Sequence, residues 1–244
     1  LNLHGFNLNP RSLLGNYYII EINSNEDPIN IAQTIYGSSI FDYIEFDAVG
    51  HYSSTPNDDF FTNQWALQDD KIQAEKAWDI TTGNPDVIIG NIDSGADIRH
   101  IDLAENIWHN LGEDHDGDGQ VFDLINGVWE FDPDDINGVD DDENGYIDDF
   151  VGWDFRFDEN DPTGTYFHGT AVGGITSART NNSIGVSGIT GGWESNKGAS
   201  MVCVRIVDDD GTEPFAISTG ECSTYAGQNG EDVINRSGGR REVK

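Results

Sequence analysis

Basic residues are scarce in this sequence. Across 244 residues, 12 lysines and arginines face 45 aspartates and glutamates, a formal net charge of −33 at neutral pH. Such a surface repels nucleic acid and anionic membranes and attracts cations, so no nucleic acid and no membrane are expected as partners. Cysteine is rarer still: Cys203 and Cys222 cannot make a disulfide framework and read as two free, mostly buried thiols. No apolar run approaches the about 18 to 20 residues that cross a bilayer, and no basic-then-apolar leader opens the chain. Leu1 stands where an initiating Met would be, so the chain is expected to begin inside a longer precursor.

What apolar sequence there is centres on residues 86–103, DVIIGNIDSGADIRHIDL. Val87–Ile92 is almost continuously apolar and β-branched at four of six positions, the pattern of a strand buried on both faces. Asp93 follows, then Ser94-Gly95, where glycine lets the chain turn out of the sheet. A carboxylate is thereby placed at the carboxyl end of a central strand, where open α/β sheets gather their sites. Alone, such an Asp reads more readily as the opener of a turn or the cap of a helix. A second stretch, FHGTAVGGITSA at 167–178, puts His168 in the first turn of a helix whose small residues allow close packing on a sheet.

Between these stretches, Leu111 to Pro162 holds 19 acidic residues and one basic residue, Arg156. Uniform repulsion would disorder such a segment, yet it carries Trp129, Phe131, Tyr146, Trp153 and Phe155. A bound cation reconciles the two. Asp140, Asp142, Asn144 and Asp148 fall at positions 1, 3, 5 and 9 of an EF-hand-type loop with Gly145 at position 6, although Val151 replaces the acid at position 12. Asp114, Asp116 and Asp118 repeat the front half, again without a closing acid, since Ile125 stands there. Calcium suits this all-oxygen set better than zinc, because the segment's one imidazole, His115, is isolated.

Three segments in order, NIDSGADIRHIDL, HGTAVGGI and NNSIGVSGI, resemble the subtilisin-like serine proteases, and STPNDDFFTNQWALQ followed by KIQAEKAWDITTG resembles the opening of thermitase-like members. The resemblance implies an α/β fold with a largely parallel sheet flanked by helices, and a calcium-stabilised, secreted serine endopeptidase acting on protein or peptide substrates. It assigns Asp93 and His168 to the family's Asp-His-Ser triad, an order carried over from the family. Ala171 departs from the second histidine of the usual HGTH. It also implies calcium ligands at Asp58, Asp102 and Asn182 with the carbonyls of Thr180, Ile184 and Val186, and a weaker site at Asp154, Asp158 and Asp161.

Residues 1–52 read as a small α+β unit: a strand at Asn16–Ile22, a helix at Asp27–Tyr36 with apolar Ile29, Ile31, Ala32 and Ile35, and a strand at Phe41–Phe46. It resembles the tail of that family's propeptide, which assists folding and blocks the site of the zymogen until cleavage. The mature chain is expected to start between His51 and Pro56, leaving 53–244 as the N-terminal part of a peptidase domain with its acidic calcium-loop insert at 110–162.

Towards the end, a strand at Ser200–Val207, an exposed turn at 208–214, a helix at Ile217–Gly230 and a strand at Asp232–Asn235 follow the family pattern. The text then departs from it, with Arg236 at a usually apolar place and four of the 12 basic residues in the last nine positions. This reads as a truncated or frame-disrupted end and leaves the catalytic domain incomplete. The oxyanion-hole Asn and the G-T-S-M nucleophile segment lie downstream in the family; no GTS occurs here, and Ser187, Ser195 and Ser237 precede the nucleophile's place. The 244 residues alone are therefore expected to be inactive. The alternative is a pseudoprotease or calcium-dependent interaction module on the same fold.

Overall fold

In the computed structural model, the described residues are 2–3, 6–10, 18–20, 28–38, 41, 44, 55–208 and 219–237. The chain forms two compact units, Leu1–Gly50 and His51–Lys244. In the first, β1 (Asn2–Leu3), β2 (Phe6–Pro10) and β3 (Tyr18–Ile20) make an antiparallel sheet in that order, followed by α1 (Pro28–Gly37). Proline suits the first turn of α1, where its missing N–H would be unpaired anyway. Ile31 and Ile35, one turn apart, are buried, while Ile29 is exposed. β3 lies inside the strand expected at 16–22, and α1 matches the expected helix within a residue at each end. β2 has no counterpart in the sequence reading, although its F-N-L-N alternation is a strand signal. The expected strand at Phe41–Phe46 lies outside the described residues except for Phe41 and Ile44, as do residues 51–54 of the expected start of the mature chain.

The second unit runs α2 (Ala74–Trp78), β4 (Ile88–Asp93), the hairpin β5 (Phe122–Ile125) and β6 (Val128–Phe131), β7 (Gly152–Asp154), α3 (Phe167–Ser177), the short hairpin β8 (Gly192–Trp193) and β9 (Asn196–Lys197), β10 (Ser200–Arg205), α4 (Thr219–Gln228) and β11 (Val233–Arg236). Its central sheet has the order β11-β4-β10-β7, and every neighbouring pair is parallel. Ser200 to Arg205 pair in register with Ile88 to Asp93. Parallel strands must be covered on both faces, and alternate residues of β10 show how. Met201 and Cys203 join Ile98, Leu103, Phe122 and Phe150 on one face; Val202 and Val204 join Ile92, Trp153, Cys222 and Tyr225 on the other. Each such aliphatic side chain contributes roughly 1.5–3 kcal/mol by burial. Both cysteines are free and buried.

The aromatic residues of the acidic insert belong to this core. Phe122 stacks on Trp129 with ring centroids 5.5 Å apart, and Tyr146 meets Tyr225 of α4 edge-on at 4.8 Å. Helix α3 lies so close to the end of β4 that a Cβ on Gly169 would stand 1.9 Å from the carbonyl oxygen of Gly95. Gly227 in α4, by contrast, has open space around it. Gly169→Ala is therefore expected to destabilise the protein by about 1–3 kcal/mol, while Gly227→Ala is neutral or stabilises by up to about 1 kcal/mol. Equal denaturation midpoints for the two variants would contradict the backbone contact between α3 and β4.

Candidate active site and acidic loops

β4 delivers Asp93 to the carboxyl edge of the sheet with its side chain only 2% exposed. The chain then turns at Gly95, whose φ of +76° is a backbone conformation open to glycine. Ser94 fastens this turn to α3: its hydroxyl donates to the carbonyl of Tyr166 at 3.1 Å and accepts the N–H of Gly169 at 2.9 Å. Asn91 adds a bond from its amide to the Gly169 carbonyl at 3.1 Å. Held in this way, His168 places Nδ1 2.8 and 3.0 Å from the two oxygens of Asp93. Asp93 Oδ1 also accepts the Ser94 N–H at 2.7 Å. The imidazole is 45% exposed. A buried carboxylate on Nδ1 fixes the proton there and leaves Nε2 free to accept another, so the pair is a base supported from behind.

A second set lies around residues 180–187. Asp58, buried, accepts the N–H groups of Asn181 and Asn182 at 3.0 and 2.9 Å and the Ser187 hydroxyl. Asp102, also buried, accepts the Asn182 amide at 2.9 Å and the Val186 N–H at 3.0 Å. Burial pushes the Asp102 carboxyl above its ordinary range, and the charge of Asp58 adds to the rise. The carbonyl of Thr180 accepts the N–H of Glu194 at 3.2 Å. Ile184 donates its N–H to the Asn182 side chain at 2.9 Å.

The acidic insert contains two similar loops. In the first, Asp140 accepts the N–H groups of Asn144 and Gly145, at 3.0 and 2.7 Å. Asp142 lies against Asn110 and Asn144 and forms a group of potential metal ligands with Glu113 and Asp149. Asp148 turns away to the N–H of Gly138 at 3.0 Å. Glu113 is 1% exposed and accepts the N–H groups of Asp141, Asp142 and Asp148; Asp149, fully buried, accepts Asn110 at 2.7 Å and the Tyr225 hydroxyl at 2.7 Å. Burial first, then the neighbouring carboxylates, push Glu113 and Asp149 up to about 7 each. In the second loop Asp114, Asp116 and Asp118 form another such group. Asp114 accepts the N–H groups of Gly117 and Gly119, each at 2.8 Å.

The Subtilase family matches this chain over residues 84–244, which takes in β4, the acidic insert, α3 and the rest of the sheet. The chain belongs to the subtilase family. Subtilisin-like protease 1 of Plasmodium berghei is 36% identical over 63% of this chain and 21% of its own length. Thermitase of Thermoactinomyces vulgaris is 31% identical over 75% of this chain and 47% of its own. The halolysin-like extracellular serine protease Nep of Natrialba magadii is 28% identical over 85% and 30%. The chain thus spans about half or less of the length of these curated relatives.

In this subtilase, then, the expected site residues separate into those the fold brings together and those it does not. Asp93 and His168 meet, as do Asp102, Asn182 and Val186, and Asp114, Asp116 and Asp118. Asp142 keeps company with Glu113 and Asp149, two residues outside the expected ligand set, while Asp140 and Asp148 serve backbone N–H groups. Asp154, Asp158 and Asp161 form no such group among the described residues. Asp154 is buried against Arg205, at 3.0 Å, and Asp161 pairs with Arg99 at 3.1 Å, so a guanidinium already meets each charge. Asp158 is exposed. A buried Glu113 has a signal in the sequence only after the fact, as the sole glutamate beside Asn110 at the root of the insert.

The two raised carboxyls make a pH prediction for the cation-free subtilase. Both hold their protons to about pH 7 when folded but only to about pH 4 when unfolded. Their contribution is therefore complete below about pH 4 and is lost as pH rises through about 7. In a chelator, the melting temperature should fall by several degrees between pH 5 and pH 8, and Glu113→Gln should flatten that slope. A melting temperature independent of pH over this window would show that the two carboxyls are not buried as described.

Proposed function

We propose that this subtilase chain supplies the Asp and His of an Asp-His-Ser triad to a serine endopeptidase, with the nucleophilic serine drawn from outside these 244 residues. The observation that carries the reading is the Asp93–His168 pair: a buried carboxylate on Nδ1 of a half-exposed imidazole at the carboxyl edge of a parallel sheet. The serine hydroxyl attacks the carbonyl carbon of a peptide bond and its proton passes to Nε2 of His168. Asp93 orients the ring and stabilises the imidazolium that results. His168 then returns the proton to the leaving amine, and a water molecule activated by the same nitrogen releases the acyl group. Peptidase names among the relatives support the reaction class.

Protein or peptide chains are the substrates. The unit Leu1–Gly50, with its antiparallel sheet and amphipathic helix, serves as the propeptide segment. An extracellular setting fits the name of one relative and the strongly acidic composition. Calcium fits the all-oxygen donors: Asp58, Asp102 and Asn182 with the carbonyls of Thr180, Ile184 and Val186 would hold one ion, and Glu113, Asp142 and Asp149 with Asn144 another. When bound, calcium supplies positive charge where carboxylates crowd. Its role here is to hold the loops, and it leaves the proton transfers to His168, oriented by Asp93.

In the enzyme with its serine present, His168→Ala should abolish hydrolysis of casein while leaving the melting temperature nearly unchanged. Asp93→Asn should lower turnover by about four orders of magnitude by favouring the wrong tautomer of His168. Retention of more than a tenth of the activity in either variant would remove the pair from the mechanism.

A further inference from the structure

The loop Asp114–Gly119 carries three carboxylates that can each bring an oxygen within 4.8 Å of the others, but exposed acidic groups often do so with nothing bound. A second residue changes the argument. Asp135 is fully buried and lies against this loop, its Oδ1 accepting the N–H groups of His115 at 2.8 Å and Asp116 at 3.2 Å. Its other oxygen, Oδ2, is buried with no hydrogen-bond partner. The charges near enough to act on it include Asp114 and Asp132, both negative. A dry, unpartnered carboxylate oxygen near other carboxylates is strongly unfavourable unless a proton or a cation joins it.

The chain is folded to bring Asp135 there. The β5–β6 hairpin carries the backbone out and back, and its base is closed by the Asp132 N–H on the Val121 carbonyl at 3.0 Å. The first loop has the same construction. Glu113 accepts the N–H groups of Asp141 and Asp142, the second and third residues of the loop that begins at Asp140, just as Asp135 accepts those of His115 and Asp116, the second and third of the loop that begins at Asp114. In each loop the opening aspartate also accepts the N–H five residues on, from Gly145 or Gly119. Glu113 spends its second oxygen on the Asp148 N–H and shares a ligand group with Asp142 and Asp149; Asp135 has its second oxygen unspent.

We propose that Asp135 closes a cation site with Asp114, Asp116 and Asp118, taking the place of the acid that Ile125 displaces from the twelfth position of the loop. The ion is a hard, oxygen-seeking divalent cation, and calcium is the one that accepts an irregular set of carboxylates. The proposal rests on the reading that the acidic insert binds calcium, and it adds a ligand from beyond the loop.

The test uses the purified protein stripped of metal with a chelator, then titrated with calcium chloride by calorimetry and melted with and without calcium. Asp135→Asn keeps an oxygen to accept the two N–H groups but cannot supply a second anionic oxygen. It should lose one calcium ion, or bind one at least tenfold more weakly, while the site of the Asp142 loop is retained. In the chelator it should melt no lower than the unaltered protein, since an unpaired buried charge has been removed; in calcium it should melt lower. That reversal of order is not expected of a residue that only accepts backbone N–H groups. If Asp135→Asn melts lower by the same amount in both conditions, it is a structural acceptor and the proposal fails. If it titrates as the unaltered protein does while Asp114→Ala loses an ion, Asp135 is no ligand although the insert binds calcium. If the unaltered protein takes up no calcium, the reading of the insert and the proposal fall together.

Discussion

The meeting of Asp93 and His168 depends on backbone touching backbone. At the end of β4 the carbonyls of Ser94 and Gly95 lie against Gly164 and Gly169, where a single Cβ would stand 1.9 Å from an oxygen. Nothing larger than hydrogen fits between strand end and helix start, so a 2.8 Å bond between an acid and an imidazole can form across the gap. Ser94 and Asn91 then remove the remaining freedom by bonding directly to the backbone of α3. Position is thus held by short, directional bonds on regular elements, which place a base more accurately than loops can.

A second constraint is the supply of positive charge. Four of the described arginines are committed at particular places: Arg205 to buried Asp154, Arg99 to Asp161, Arg156 to Asp208, and Arg179 to Glu105 and to the carbonyls of Gly191, Glu194 and Asn196. Glu113, Asp135 and Asp149 receive none among the bonds described, although all three are buried carboxyls, and burial pushes each above the ordinary range. They are tied instead to amides, a phenol and N–H groups, each of which weakens the local field without cancelling it. The insert is at once the most repulsive part of the chain and a supplier of aromatic core, with Phe122 and Phe150 packed on one face of the sheet and Tyr146 on the other.

How much could be read from the letters follows from this division. The parallel α/β sheet was visible because β4 and β10 are β-branched runs with glycine or polar text after them. Asp93 and His168 were legible together because NIDSGADIRHIDL and HGTAVGGI resemble the family's motifs; position alone marked only a carboxylate at a strand end and a histidine at a helix start. The loops were visible as loops, but the acids that reach them from outside were not. Ile125 and Val151 at the twelfth positions read as incomplete sites, whereas the fold brings Glu113 to the N–H groups of the Asp140 loop and Asp135 to those of the Asp114 loop, across a hairpin whose return path no local pattern encodes. Asp154, Asp158 and Asp161 do not gather among the described residues for a related reason: Arg205 comes from a strand some fifty residues later and meets Asp154 on the neighbouring strand.

The sheet order has a consequence for how quickly this chain can reach its native state. Strand β4 pairs on one side with β10 and on the other with β11, so Ile89 has Met201 and Val233 as its partners, each more than a hundred residues away. No local hairpin can nucleate such a sheet, and the entropy of closing those long loops must be spent before any ladder bond returns it. Between the strands lies a segment whose carboxylates repel one another while it is still open. The transition state for folding is therefore expected to be high and sensitive to ionic conditions, and the native state, once formed, to be separated from the unfolded chain by the same barrier.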